Sequence, residues 1–128
     1  MQKFENFGSK PTRQGFGEAL LEMGKIYNDL VVLGADVSGS VLTSYFRDAY
    51  PERFFSIGIA EQNATTIAAG LALSGKKAVL AGYSAFVALR NADQLRISVC
   101  YNDLNVLIGG GHAGVTVGPD GATHQSLE

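Results

Sequence analysis

The chain has 128 residues and a formal net charge of −2, a length that suits one domain with a real core. Its lysines and arginines are scattered rather than striped, which excludes an electrostatic footprint for nucleic acid, and no run is long and apolar enough to cross a bilayer. At 46% hydrophobic and 17% charged it falls short of the quarter or so of charged residues in ordinary chains, so much of its surface is expected to face protein.

Residues 1–11, with Pro11, read as an irregular leader, and residues 12–128 as the folded domain. From Thr12, "TRQGFGEALLEMGKIYNDL" spaces Phe16, Leu20, Met23 and Tyr27 as one helix face, with Thr12 as its N-cap. "LVVLGAD" is a short continuous apolar run, the pattern of a strand buried on both faces. "SVLTSYFRDAYPERF" predicts a short helix stopped before Pro51, and "FFSIGI" a second strand. "AEQNATTIAAGLALSG" predicts a small-residue helix ending at Gly75. "KKAVLAGY" is a third strand, "SAFVALRNADQLRISVCYND" a third helix and "LNVLIGGG" a fourth strand, followed by the loop "HAGVTVGPDGATHQ". Strands alternating with helices predict an α/β fold, a three-layer α/β/α arrangement around a mostly parallel sheet. "THQSLE" reads as the start of a further helix, so the chain is expected to be a fragment of a longer subunit. The single cysteine, Cys100, has no internal partner, which makes a reducing cytoplasm the expected location.

In open parallel sheets ligands bind outside the carboxyl ends of the strands. Those ends carry Asp36, Glu61, Tyr83 and His112. Glu61 is the lone carboxylate in "SIGIAEQNATTIAAGLAL", set where a strand-like run becomes a helix. An acid in the first turn of a helix is stabilised by the helix dipole alone. Against that plain account, no turn-rich linker separates Glu61 from the strand. The helix after it is also apolar enough to pack against another subunit. An acid held in such a crevice needs a specific partner, because an unpaired buried charge is costly.

Four segments, "GAD", "RFFSIGIAEQN", "GYSAFV" and "GPDGATHQ", together resemble the pyrimidine-binding domain of transketolase-like thiamine diphosphate enzymes, across nearly the whole chain. The resemblance implies that Glu61 stands at the catalytic glutamate, which hydrogen-bonds N1′ of the cofactor's aminopyrimidine. Thiamine diphosphate acts only after C2 of its thiazolium ring loses a proton, and a carboxyl at N1′ favours the imino form whose exocyclic nitrogen takes it. That exchange suits a partly buried glutamate.

By the same resemblance Tyr83 and Phe86 line the aminopyrimidine pocket, although Phe86 fits ordinary core packing equally well. His112 falls where transketolases contact the sugar phosphate, His124 where they contact hydroxyls of the bound ketose, and Asp120 where an acid reads a hydroxyl of the acceptor aldose. Histidine both donates to and accepts from sugar oxygens near neutrality, which suits proton handling. Arg13 and Ser40 line up with phosphate-contacting positions, Arg13 being equally consistent with a solvated first-turn arginine. Asp36 either faces the cofactor or caps the loop after the first strand.

No Gly-Asp-Gly followed by Asn occurs, so the diphosphate and its Mg2+ are expected on a partner domain or subunit of the same enzyme. The implied assembly is a homodimer, acting on sugar phosphates, and the isolated chain is expected to be inactive. "GIAEQ" and "YSAF" lean toward deoxyxylulose-phosphate synthase, while His112 and "THQ" lean toward a transketolase split into two chains. A non-catalytic α/β assembly domain, with Glu61 only a helix-start acid, is the reading of a different class.

Overall fold

The computed structural model describes residues 9–127; residues 1–8 of the expected leader lie outside the described residues. Leu30–Gly34 (β1), Phe54–Ser56 (β2), Lys77–Tyr83 (β3) and Val106–Gly111 (β4) form one sheet in the order β2-β1-β3-β4, with every pairing parallel. Val32 pairs with Phe54 on one side and Val79 on the other, so β1 is the central strand of its end of the sheet. The chain goes from β1 out to β2 and then back past β1 to β3. That reversal creates a switch point between the carboxyl ends of β1 and β3.

Alternate residues of a strand face opposite sides, and here each side has its own core. Leu30, Val32 and Val79 pack against Leu20 of helix α1 (Thr12–Ile26) and Phe46 of helix α2 (Ser44–Ala49). Val31, Leu33, Ala78 and Leu80 pack on the other side against Ala64 and Ala68 of helix α3 (Glu61–Leu73) and against Val87. Three layers result, as expected. All five residues of β1 and the last six of β3 are buried, which is why both read as unbroken apolar runs.

Several boundaries differ from expectation. Pro11, at φ −57° and ψ 137°, takes the position before α1, and its carbonyl starts the helical ladder by accepting from Gln14 N at 2.9 Å. Thr12 therefore lies inside the helix and caps nothing. The helix stops at Ile26, so Tyr27 leaves the core face and is 39% exposed. Its end is closed by Arg53, whose fork donates to the carbonyls of Tyr27 (2.9 Å) and Gly24 (3.1 Å) while stacking 3.9 Å over the Tyr50 ring. The second strand ends at Ser56 rather than Ile59. Gly58, at φ +69°, turns the chain into α3 through a conformation that costs glycine little.

The third helical stretch, residues 85–100, is wound more widely than expected at Ala85–Leu89 and Leu95–Cys100, with ordinary α-helix at Ala92–Gln94 between them. Arg90 N bonds back to Ala85 O, and Tyr101 N to Arg96 O, five residues each. In place of a helix at "THQSLE" there is a single 3-10 turn, Gly121–His124, after which Gln125 is extended. Among the described residues no helix is long and apolar enough to cross a membrane, and Cys100 is exposed.

Candidate active site

Glu61 opens α3 and is 5% exposed. Gly58 brings the chain round so that the acid enters the helix facing inward, where the dipole favours a negative group. Its Oε2 accepts from Arg90 Nη1 at 2.8 Å, and among the described residues no protein donor is assigned to Oε1. The Arg90 guanidinium also lies 4.2 Å over the Phe86 ring, so one cation joins the acid to an aromatic face.

Behind the carboxylate, the Glu61 backbone is held by two fully buried residues. Asn91 Nδ2 donates to the Glu61 carbonyl at 3.0 Å and to Thr65 Oγ1 at 2.8 Å, and Thr65 Oγ1 donates to the same carbonyl at 3.1 Å.

From Phe86 a cluster of rings runs along the carboxyl ends of β3 and β4. Tyr83, buried at the end of β3, has its ring centroid 6.0 Å from Phe86, 4.2 Å from His112 and 5.6 Å from His124; Phe86 lies 5.0 Å from His124, edge-on. Such tilted and edge-on pairings are the favourable ones for aromatic rings. His124 Nδ1 is 2.9 Å from Thr123 Oγ1. His112 follows β4 with φ 58°, and Asp36 follows β1 with φ 62°. Non-glycine residues seldom adopt this left-handed backbone, though Asp and His do so more than most. Burial first, and the Arg13 cation second, hold the His112 imidazole below its ordinary value, partly opposed by the Asp120 carboxylate and aided by His124.

Beside His112, on the α1 side of β4, is a cleft of about 580 Å3 lined by Arg13, Phe16, Val41, Gly110, His112 and Val117 among others. On its wall the Phe16 ring packs directly on Gly109, where a Cβ would come within 2.6 Å of it. Arg13 reaches across its rim to the Ser40 carbonyl at 3.4 Å. Glu61 does not line this cleft; the ring cluster lies between the two.

Most of the residues singled out in the sequence therefore converge. Glu61 meets Phe86 through Arg90, Phe86 meets Tyr83 and His124, Tyr83 meets His112, and His112 shares its cleft with Arg13. Three sit less centrally. Ser40 contributes its carbonyl to Arg13, Asp120 is exposed and bears on His112 through its charge, and Asp36 is exposed beyond the end of β1. Arg90, Asn91 and Thr65 were not anticipated. The one signal for the first two was an adjacent cation and amide in the apolar run "SAFVALRNADQL". Among the described residues no group of three His, Cys, Asp or Glu side chains gathers to hold a metal.

An open parallel sheet with one buried acid and a row of aromatic and imidazole rings near the carboxyl ends of its strands has the architecture of doubly wound α/β domains, which bind ligands at those ends. The family described as "Transketolase, pyrimidine binding domain" matches residues 9–128, and the chain belongs to that family. It is 50% identical over 119 residues to a protein of Methanocaldococcus jannaschii named as a transketolase C-terminal section, covering 93% of this chain and 38% of that protein. It is 41% identical over 133 residues to the 1-deoxy-D-xylulose-5-phosphate synthase of Dictyoglomus turgidum, covering 98% of this chain and 21% of the synthase. Among solved structures it is similar to a chain titled "Split gene transketolase, inactive beta4 tetramer", with a TM-score of 0.77 at 46% identity, over 92% of this chain and 38% of that one. The chain thus spans well under half the length of the relatives it matches.

Proposed function

We propose that this chain is the pyrimidine-binding part of a transketolase-type enzyme that transfers a two-carbon ketol unit between sugar phosphates with thiamine diphosphate. The observation that carries this is the Glu61 carboxyl, 5% exposed, fixed through Oε2 by Arg90 and lying beside the Phe86 face that the same guanidinium covers. These residues fit the aminopyrimidine half of the cofactor: a buried carboxyl with Oε1 free of protein donors among the described residues, next to the Tyr83 and Phe86 rings. When bound, thiamine diphosphate supplies the electron sink for breaking a C–C bond beside a ketone.

On this proposal Glu61 holds and exchanges a proton at N1′ of the aminopyrimidine, with Arg90 orienting the carboxyl. Tyr83 and Phe86 would line the aminopyrimidine pocket and exclude water from it, and Asp36 would face the cofactor from the β1 loop. His112 is kept neutral near pH 7 by burial, so it both donates to and accepts from sugar oxygens. His124 and Asp120 contact hydroxyls of the donor and acceptor. Arg13 and the Ser40 segment bind the sugar phosphate at the cleft beside His112. The diphosphate and its Mg2+ fall to a diphosphate-binding partner domain or subunit, and two such assemblies pair as a homodimer. The chain by itself is inactive.

The experiment is reconstitution. The chain is mixed with its diphosphate-binding partner, thiamine diphosphate and magnesium, and ketol transfer from xylulose 5-phosphate is followed. Transfer that needs both chains and the cofactor is the expected result. The identity to 1-deoxy-D-xylulose-5-phosphate synthases favours a second outcome, in which pyruvate replaces the ketose as donor and deoxyxylulose 5-phosphate forms. No cofactor dependence in either assay would leave a non-catalytic assembly domain.

A further inference from the structure

The first turn of α3 presents Glu61 without a side-chain cap; Ala60 precedes it at φ −132°, and no side chain bonds the free amides from that end. The turn is held from the side instead. Arg90 and Asn91, adjacent in sequence, grip the two ends of the same glutamate. The first holds its carboxylate at 2.8 Å, the second its carbonyl at 3.0 Å.

We propose, resting on the role given to Glu61 above, that Asn91 is a positioning residue that fixes where the Glu61 carboxyl lies relative to the Phe86 ring. An amide is the group this position needs. One nitrogen gives two hydrogens to two acceptors, Glu61 O and Thr65 Oγ1, while the Thr65 hydrogen goes to Glu61 O. Aspartate would set an acceptor against both oxygens, and serine has a single hydrogen to give.

The winding of the helix serves the same end. Neighbouring residues on an α-helix diverge by about 100°, which would point Arg90 and Asn91 to different sides. The five-residue bond from Arg90 N to Ala85 O widens the turn just before them, and both side chains reach Glu61. Wide turns of this kind occur frequently at functional sites.

The position also carries a cost. Asn91 is fully buried, yet its Oδ1 has no partner among the described residues. Replacing Asn91 by an apolar side chain removes that orphaned oxygen but also withdraws the donor from Glu61 O and Thr65 Oγ1, two effects of similar size and opposite sign for stability. A purely structural role would therefore show in leucine as a change of stability alone, whereas a positioning role shows in cofactor binding and turnover as well.

The test compares wild type, Asn91→Leu and Glu61→Gln, each assembled with the diphosphate-binding partner. Thermal midpoint, thiamine diphosphate affinity by calorimetry, and kcat and KM for the ketose donor are measured. In Asn91→Leu the midpoint is expected to change little, the lost donor bonds being offset by removal of the orphaned oxygen. The cofactor dissociation constant rises about tenfold and kcat falls about tenfold, the scale of losing one or two directing hydrogen bonds, with donor KM unchanged. Wild-type affinity and kcat in Asn91→Leu, beside a dead Glu61→Gln, would overturn the inference and leave the role of Glu61 standing. A loss of kcat that merely follows a lowered midpoint overturns it too. If Asn91→Leu does not assemble, Thr65→Val carries the test. That variant keeps the Asn91 bond to Glu61 but removes its second acceptor together with the Thr65 donation to the Glu61 carbonyl, and about threefold weaker cofactor binding is expected; unchanged binding overturns the inference. A wild-type assembly that binds no thiamine diphosphate removes the role of Glu61 itself, and that of Asn91 with it.

Discussion

Arg90 Nη1 lies 2.8 Å from Glu61 Oε2 across 29 residues of sequence, joining a side chain 43% exposed to one 5% exposed. The asymmetry gives the pair its meaning. The acid is committed to the interior, while the cation reaches in from solvent and lays its other surface on Phe86.

Removing the cation leaves a buried carboxylate without its counter-charge. Arg90→Met is expected to lower stability by about 1–2 kcal/mol, less than for a fully buried pair because the arginine is partly solvated. Adding Glu61→Gln to that variant should recover most of the loss, since the amide carries no charge to leave unpaired. Urea unfolding of the two single variants and the double variant checks this. Strictly additive losses would contradict it.

His112 makes stability depend on pH. Burial and Arg13 depress its folded value below the ordinary one of about 6.5. Just below that pH the unfolded chain takes a proton that the folded chain refuses. Stability from this group is thus intact above about pH 6.5 and declines as the pH falls toward the depressed folded value. His112→Asn should flatten the difference, seen by comparing urea midpoints of the two proteins across that window. Asp120→Asn should steepen it, because the Asp120 carboxylate opposes the depression. A wild-type slope in His112→Asn would contradict the assignment.

Two glycines of α1 should respond oppositely to alanine. A Cβ at Gly17 would come within 2.6 Å of the Leu42 carbonyl, and backbone yields poorly, whereas a Cβ at Gly15 meets nothing within 4 Å. Gly17→Ala is expected to cost about 1–3 kcal/mol. It also lifts the Arg13 end of the helix from the cleft beside His112. Gly15→Ala should gain up to about 1 kcal/mol from helix propensity. Thermal or urea unfolding distinguishes them, and equal effects would mean that α1 does not pack as described.

The sequence made the central strands legible because β1 and β3 are buried on both faces and read as apolar runs. The acid at Glu61 stood out for a related reason, being one charge in a small-residue helix. What escaped was everything that depends on how two segments meet. Arg90 and Asn91 reach Glu61 from a helix that is wound in a five-residue turn at Ala85–Leu89, just before them, and no hydrophobic periodicity reports that winding. Thr12 looked like a cap because threonine favours that position, but Pro11 already holds it with a ring-fixed φ. Ile59 looked like strand and is 76% exposed, since Gly58 turns the chain first.

The most direct measurement is ketol transfer by the assembled enzyme carrying Glu61→Gln. The amide nearly matches the carboxyl in size and can still meet Arg90 through its oxygen, but it cannot exchange a proton with a ring nitrogen. Turnover is expected to fall by at least about a hundredfold, with the thermal midpoint little changed. Turnover equal to wild type, from a folded and assembled variant, would contradict the role given to this acid.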